Sequence, residues 1–455
     1  MRIGPLSFYR KALSLALPVM LQMLIMGLVS LIDNFMVAGL GDASMAAVNV
    51  SNQLNFIFMV FVNCVCGAGA IYMAQFNGAN DPSGMKNAYR FKVLLVYVLF
   101  IVYFTLCQTI PERMLSMMTY GNSEQSGIVN LGSQYLRLAA WTLLPMGLSI
   151  ALGSSFREVG RPRIPLIISA IATLINTAGN WLLIYGNLGA PRLEVRGAAI
   201  ATIIARTCEV LMFVIFARID KTKFFVPFIK IFNVDKKLIK DILSKSAMIL
   251  VSEASWITGE TLMMAICNRR GGAETVAGMA AGFTIANLFY LCFAGVWTVT
   301  SVTVGGSLGA GKLKEAKQRA AWIQSGSIFL GIMISVVGAA GATALVPLVF
   351  SNLTIAARHI CMSLVYVVAV FLPLWDLLNA QFAISRAGGD AAMGMWADIS
   401  VTIVIIPLAL FLGFATMLPP VAMFAIIKST DVPKYFIARY FLKKERWIRN
   451  MTIRR

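Results

Sequence analysis

Charge is missing from this chain for long intervals, and those intervals recur at the length of a bilayer. A helix needs about 20 apolar residues to cross the hydrocarbon slab. Twelve stretches near that length lie at 12–35, 46–70, 92–110, 133–154, 164–186, 197–217, 246–267, 278–303, 319–341, 345–381 (whose membrane part starts near 360), 393–413 and 415–428. The last is the shortest. Only 13% of the residues are charged against 58% hydrophobic, which excludes a soluble multidomain chain. The expected fold is an all-α integral membrane bundle of twelve transmembrane helices.

The formal charge of +19 would suit a nucleic-acid partner if it were a patch, but its distribution is topological. With the N-terminus (Arg2, Arg10, Lys11) on the cytoplasmic side and spans alternating, 31 of the 39 Lys and Arg fall on inward segments. The outward loops hold Arg113, Arg137, Arg192, Arg196, Arg269, Arg270 and Arg358, and Arg206 lies within a span. This positive-inside bias places both termini in the cytoplasm of a cell-membrane protein and excludes nucleic acid as a partner. The seven cysteines sit in or beside apolar spans and imply no disulfide or zinc framework. The first apolar run continues to Met36 and reads as a span, not a cleaved signal.

The chain repeats itself. ALPVMLQMLIMGLVSLIDNFMVAGLGDASMAAVNV from Ala16 aligns without a gap on SAMILVSEASWITGETLMMAICNRRGGAETVAGMA from Ser246, setting Gly41 against Gly271 and Ala47 against Ala277. NGANDPSGMKNA (77–88) matches SLGAGKLKEAKQRA (307–320) after one insertion, with Gly78 opposite Gly309. The Leu-Pro pairs at 144–145 and 372–373 match in turn, followed by Gly160 opposite Gly388. Six spans per half is an even number, so the repeats are parallel. The expected divisions are a first lobe at 1–217, a cytoplasmic linker at 218–245, a second lobe at 246–430 and a basic cytoplasmic tail at 431–455. Linker and tail mix Lys and Arg with apolar residues, and both are expected to lie on the anionic inner leaflet.

The segments LVSLIDNFMVAGLGDASMAAV (28–48), FREVGRPRIP (156–165), NTAGNWLLIYGNLGAP (176–191) with VRGAAIAT (195–202), and ISRAGGD (384–390) resemble the multidrug and toxic compound extrusion family, as does the tail KKERWIRNMT (443–452). The resemblance runs over nearly the whole chain. It implies two six-helix lobes forming a V around a central cavity, and export of small organic cations in exchange for Na⁺ or H⁺ by alternating access, with no other cofactor.

Acids deep in the spans are expensive and few, and they carry the functional reading. Asp33 lies in the first span. Asn176 and Asn180 are four apart and face one way on a helix, and Thr202 begins the sixth span. Carboxylate, amide and hydroxyl oxygens are hard ligands of the kind Na⁺ takes. By resemblance these four residues match an N-lobe cation site. A purely structural role, in which they hydrogen-bond helices together, is the alternative. In the second half Glu253 and Glu260 share one face of the seventh span with Trp256 between them, and Asp376 follows Pro373. The family's C-lobe pair is a glutamate on the seventh helix and an aspartate on the tenth. Asp376 fits the aspartate; the glutamate is Glu253 or Glu260, with Glu253 preferred. Further candidate cavity residues are Asp398, Gln53 and Tyr290, and Arg206 with Glu209 reads as an internal ion pair.

No GxxxxGK[ST] loop occurs, so ATP is not the expected energy source. Without HExxH, GxSxG or paired metal-ligand histidines, an enzyme is not expected either. The runner-up is a lipid-linked oligosaccharide flippase of the same superfamily, which calls for a basic cavity, whereas the spans offer acids and one buried arginine. A non-transport membrane protein is the third reading. A monomer is expected.

Overall fold

The computed structural model describes residues 3–38, 42–119, 125–233 and 235–453, and every regular element in them is helical. Gly39 to Gly41 of the 28–48 segment lie outside the described residues. The first half holds α1 (Leu6–Ala38), α2 (Asp42–Gly78), α3 (Pro82–Thr109), α4 (Gln125–Glu158), α5 (Arg163–Tyr185) and α6 (Glu194–Ile219). The second holds α7 (Lys236–Arg269), α8 (Ala273–Gly309), α9 (Leu313–Val349), α10 (Ile355–Ala387), α11 (Ala392–Ala415), α12 (Pro420–Lys428) and α13 (Asp431–Lys443). A helix closes every backbone hydrogen bond within itself, which is what hydrocarbon demands. Ten of the described helices are long and apolar enough to cross a membrane. The expected spans 246–267 and 415–428 lie in α7 and α12, which are not among the ten. One is rich in Ser, Thr and Glu, and the other is nine residues long.

The long apolar stretch 345–381 is divided. The α9 helix stops at Val349, just past Pro347, and α10 begins at Ile355, where the Thr354 side chain caps the Ala357 N–H at 3.2 Å.

The repeat is written in the helix ends. Starts at 42, 82, 125 and 163 recur at 273, 313, 355 and 392, a displacement of about 230 residues throughout. After α2 the chain turns through left-handed Asn80 (φ 53°), and after α8 through Gly311 (φ 73°). In each turn the following N–H reaches the carbonyl five residues back, Asp81 to Phe76 and Lys312 to Ser307, both at 2.9 Å. The ends of α4 and α10 repeat the device with Gly160 and Gly389, both at φ 81°, and with Arg161 to Phe156 and Asp390 to Ser385. The register of the third match is therefore corrected by one residue: Gly160 corresponds to Gly389, since that glycine supplies the left-handed turn. Gly388 has a different task. A Cβ there would overlap the Trp447 carbonyl, so its bareness admits the C-terminal segment.

The chain forms two compact units, one of Met1–Met20 with Ala247–Arg455 and one of Leu21–Ser246. In the second of these, α5 and α6 meet through small residues: a Cβ on Gly197 would stand 2.6 Å from the Leu183 carbonyl carbon, and one on Gly179 3.0 Å from the Ala201 Cβ. In the other, Gly278 and Gly282 of α8 lie one turn apart against α10, where added Cβ atoms would come 2.5 Å from the Ala357 oxygen and 2.6 Å from the Leu364 side chain. Leu15 and Ala16 at the start of α1 belong to the same core as Val296, Val299 and Ile384.

Linker and tail differ from the expected surface segments. Phe224, Val226 and Ile231 are buried, with the Phe224 ring 5.1 Å from Phe156 and 5.6 Å from Tyr89. The tail is helical from Asp431 to Lys443 and packs on α10 and α11, and Trp447 is buried beyond it. In both segments part of the apolar sequence finds protein, while Ile229 and Phe232 of the linker and Phe436 and Tyr440 of the tail stay exposed.

Candidate functional site

In the unit Leu21–Ser246, three helices bring the predicted residues together. Asn180 of α5 donates to the Asp33 carboxylate of α1 at 2.7 Å. One turn away on the same face, Asn176 donates to the Thr202 hydroxyl of α6 at 3.1 Å, and that hydroxyl donates to the Ala198 carbonyl at 2.9 Å. Asn180 is only 1% exposed, yet its Oδ1 has no donor among the described residues. Asp33 makes no direct ion pair among them either. A partly buried carboxylate thus sits beside an orphaned amide oxygen, with another amide and a hydroxyl one turn on. The oxygens present suit a monovalent hard cation or a proton. Among the described residues no group of three or more His, Cys, Asp or Glu is gathered for a metal.

A second polar layer lies on the same helices. Gln22 donates to Ser169 at 2.9 Å, Ser169 donates to Glu209 at 2.8 Å, and Arg206 completes the pair with Glu209 at 2.8 Å. Arg206 and Glu209 are the internal ion pair that their spacing suggests.

In the unit containing α7 to α13, Asp376 of α10 is fully buried with the Cys292 thiol beside it; that thiol donates to the Phe289 carbonyl at 3.0 Å, and neither carboxylate oxygen has a partner of hydrogen-bond geometry among the described residues. One turn on, Asn379 accepts the Trp297 indole N–H at 2.5 Å and donates to the Phe293 carbonyl at 3.2 Å. The two candidate glutamates of α7 are each held by a fixed cation. Glu253 meets Arg386 at 3.2 Å, with the guanidinium 4.9 Å over the Trp297 ring, and Glu260 pairs with Lys428. Asp398 is buried between Lys434, at 2.6 Å, and the Ser252 hydroxyl. Tyr290 lies at the junction of Ala273–Phe289 with Leu291–Thr300 within α8, stacked on Phe293 at 5.4 Å and edge-on to Trp375 at 5.9 Å. Gln53 is exposed on α2 and joins none of these groups.

Sequence reasoning counted one buried arginine, and the structure corrects this. Lys92 is fully buried, and the side chains of Lys428, Lys434 and Arg386 are 12–14% exposed. All four lie near span ends or in the presumed loops and tail, where the charge pattern assigned them to the cytoplasmic surface. Each is neutralised by a carboxylate. Lys92 of α3 meets Glu158 of α4 at 2.5 Å, with the Ser154 and Ser155 hydroxyls at 3.0 and 3.3 Å. The quoted FREVGRPRIP segment contains Glu158, and its partner lies 66 residues away.

Multi-pass helical architecture, an internal repeat, and carboxylates and amides enclosed among helices are together the features of a membrane transporter. Residues 18–182 and 249–411 match the MatE family, and the chain belongs to it. A relative named "Probable multidrug resistance protein NorM" from Thermotoga maritima is 23% identical over 327 residues, spanning 70% of this chain and 67% of its own. The fold is shared with a crystallised MATE protein in complex with MaL6 (TM-score 0.83, 18% identity, 96% of each chain). It is shared equally with an outward-facing multidrug resistance MATE family transporter of the MOP superfamily (TM-score 0.83, 18% identity, 96% of this chain and 95% of that one).

Proposed function

We propose that the protein is a cation-coupled antiporter of the cell membrane, with both termini cytoplasmic, that exports small organic cations by alternating access. The observation that carries this reading is Asp33: a carboxylate held by Asn180, next to an acceptor with no donor of its own, and in no direct ion pair among the described residues, the nearby Arg206 being bound to Glu209. Glu253, Glu260 and Asp398, by contrast, are each satisfied by a protein cation. A buried unpaired carboxylate is costly, so Asp33 exchanges a bound Na⁺ or proton with its surroundings. Asp376, buried in the α7–α13 unit at a position with no acidic counterpart in the first repeat, is the second coupling group and carries a proton or cation while enclosed.

Coupling requires the cation to bind one facing state more tightly than the other, since equal affinity would shift nothing. The polar layer of Gln22, Ser169, Glu209 and Arg206 lies on the helices that carry the Asp33 site, so any repacking of α1 against α5 and α6 alters both. The relatives' names support multidrug substrates. The carboxylate partners of Arg386, Lys428 and Lys434 in the α7–α13 unit argue against an anionic headgroup as cargo.

The test is ethidium efflux from inverted vesicles under imposed Na⁺ or H⁺ gradients. Asp33→Asn, isosteric and unable to ionise, is expected to abolish gradient-driven transport while the protein remains folded. Gradient-dependent efflux at the wild-type rate in this variant would refute the reading.

A further inference from the structure

Where α6 ends beside the start of α3, an open cleft of about 470 Å³ is lined by cations and by no carboxylate among the described residues. That volume falls within the roughly 300–1,000 Å³ of small-ligand sites. Lys86 of α3, Arg218 in the last turn of α6, and Lys221 and Lys223 of the linker supply the charge, with Phe225 beside them. The acids nearest in sequence are occupied. Asp220 is bound to Arg161, and Asp81 caps the Ser83 and Gly84 N–H groups at 2.9 and 3.0 Å. Lys223 donates to the neutral Asn80 side chain at 2.7 Å, which ties the linker to the turn before α3. None of these cations is in an ion pair among the described residues.

Two features give the cluster a direction. Lys221 is left-handed (φ 48°) and closes α6 with the device used at the other helix ends, the Thr222 N–H reaching the Ala217 carbonyl at 3.1 Å. Gly160, Gly311 and Gly389 hold that place elsewhere, because a side chain is disfavoured there, yet here the residue is a lysine. The second feature is the outer face of α6. Leu211 and Ile215 are exposed, and Arg218 follows them at seven and three residues, on the same side of the helix. On a membrane span an exposed apolar face meets acyl chains. A lipid lying along it, over the rise of about 10 Å from Leu211 to Arg218, brings its headgroup to the guanidinium.

We propose that this cleft binds the phosphate of an anionic phospholipid in the adjoining leaflet, with an acyl chain along Leu211 and Ile215. The Arg218 fork grips two phosphate oxygens, and Lys86, Lys221 and Lys223 surround them as point charges. A free phosphate would meet the same cations but make no use of the apolar stripe. The inference goes beyond the antiporter reading and takes from it only the side: with both termini cytoplasmic, the leaflet is the inner, anionic one. Lipid binding at equilibrium needs neither a gradient nor Asp33, so the two readings fail separately.

The experiment titrates the purified full-length protein in detergent micelles with phosphatidylglycerol and follows the tightest-bound lipid by native mass spectrometry. Phosphatidylcholine with the same acyl chains is expected to bind about tenfold more weakly. Lys221→Gly removes one charge and relieves the left-handed residue, so it is expected to fold while losing about fivefold in affinity for phosphatidylglycerol. Adding Lys86→Gln is expected to bring the loss to about 25-fold. Lys443→Gln with Lys444→Gln removes the same charge from the exposed part of the tail and is expected to leave the affinity unchanged. Millimolar inorganic phosphate is expected not to displace the lipid. Wild-type affinity in the cleft double variant overturns the proposal, as does an equal loss in the tail variant or equal binding of the two lipids. Displacement by phosphate alone overturns it too, since the site would then be one for a free anion. If the double variant does not fold, Lys221→Gly alone decides: wild-type affinity overturns the proposal.

Discussion

Lys92 and Glu158 offer the sharpest test of how this bundle tolerates charge. The lysine is fully buried and the glutamate side chain 6% exposed, and their contact of 2.5 Å is supported by two serine hydroxyls. The lysine stem crosses α2 at Gly69, where a Cβ would come 2.7 Å from Lys92 Cγ, so the sequence makes room for it. Replacing Lys92 by Met keeps the stem and deletes the ammonium, which leaves Glu158 buried without its direct ion pair and with only the Arg157 charge and Ser154 beside it. Breaking a buried pair in this way costs about 3–5 kcal/mol. Replacing both partners, Lys92→Met with Glu158→Leu, removes the stranded charge, and the cost is expected to fall to within about 1 kcal/mol of wild type. The readout is SDS-induced unfolding in mixed micelles followed by tryptophan fluorescence, where the double-mutant cycle isolates the coupling. A loss under about 1 kcal/mol for Lys92→Met, or a double variant as unstable as the sum of the singles, would refute the claim that the pair is desolvated.

The same unfolding assay checks the close helix contacts. Gly197→Ala forces a Cβ onto the Leu183 carbonyl, backbone that cannot step aside, and is expected to cost about 1–3 kcal/mol. Gly27→Ala, where nothing lies within 4 Å, is the control and should be neutral or slightly stabilising. Trp447→Ala empties a buried site shared with Leu15, Ala16 and Ile384 and is expected to lose about 3–5 kcal/mol; a loss near zero would show that the tail is not part of the core. Asn180→Ala removes the donor to Asp33 together with the orphaned acceptor. It is expected to raise the half-saturating concentration of the coupling cation in vesicle efflux by about tenfold, and an unchanged value would exclude Asn180 from the site.

Much of this protein can be read along the chain because hydrocarbon leaves the backbone few choices. Uncharged stretches of bilayer length become helices, and the internal repeat survives as glycines at recurring turns, as Gly160 and Gly389 show. The Asp33 site was legible for the same reason. Asn176 and Asn180 are spaced to share a helix face, and an acid in an apolar span is too costly to be incidental.

What the chain could not announce are the pairings made at a distance. Lys92, Lys428 and Lys434 lie near span ends or in a basic tail, where single-residue reading assigns them to water. Whether such a charge is exposed or enclosed depends on a partner 66, 168 or 36 residues away, and that partner is chosen by how helices pack. Periodicity and hydropathy therefore determined the elements, their repeat and the amide-lined carboxylate. Only the tertiary structure decided which acids are paired with a protein cation and which are not, because charge compensation in a low-dielectric interior is a property of contacts.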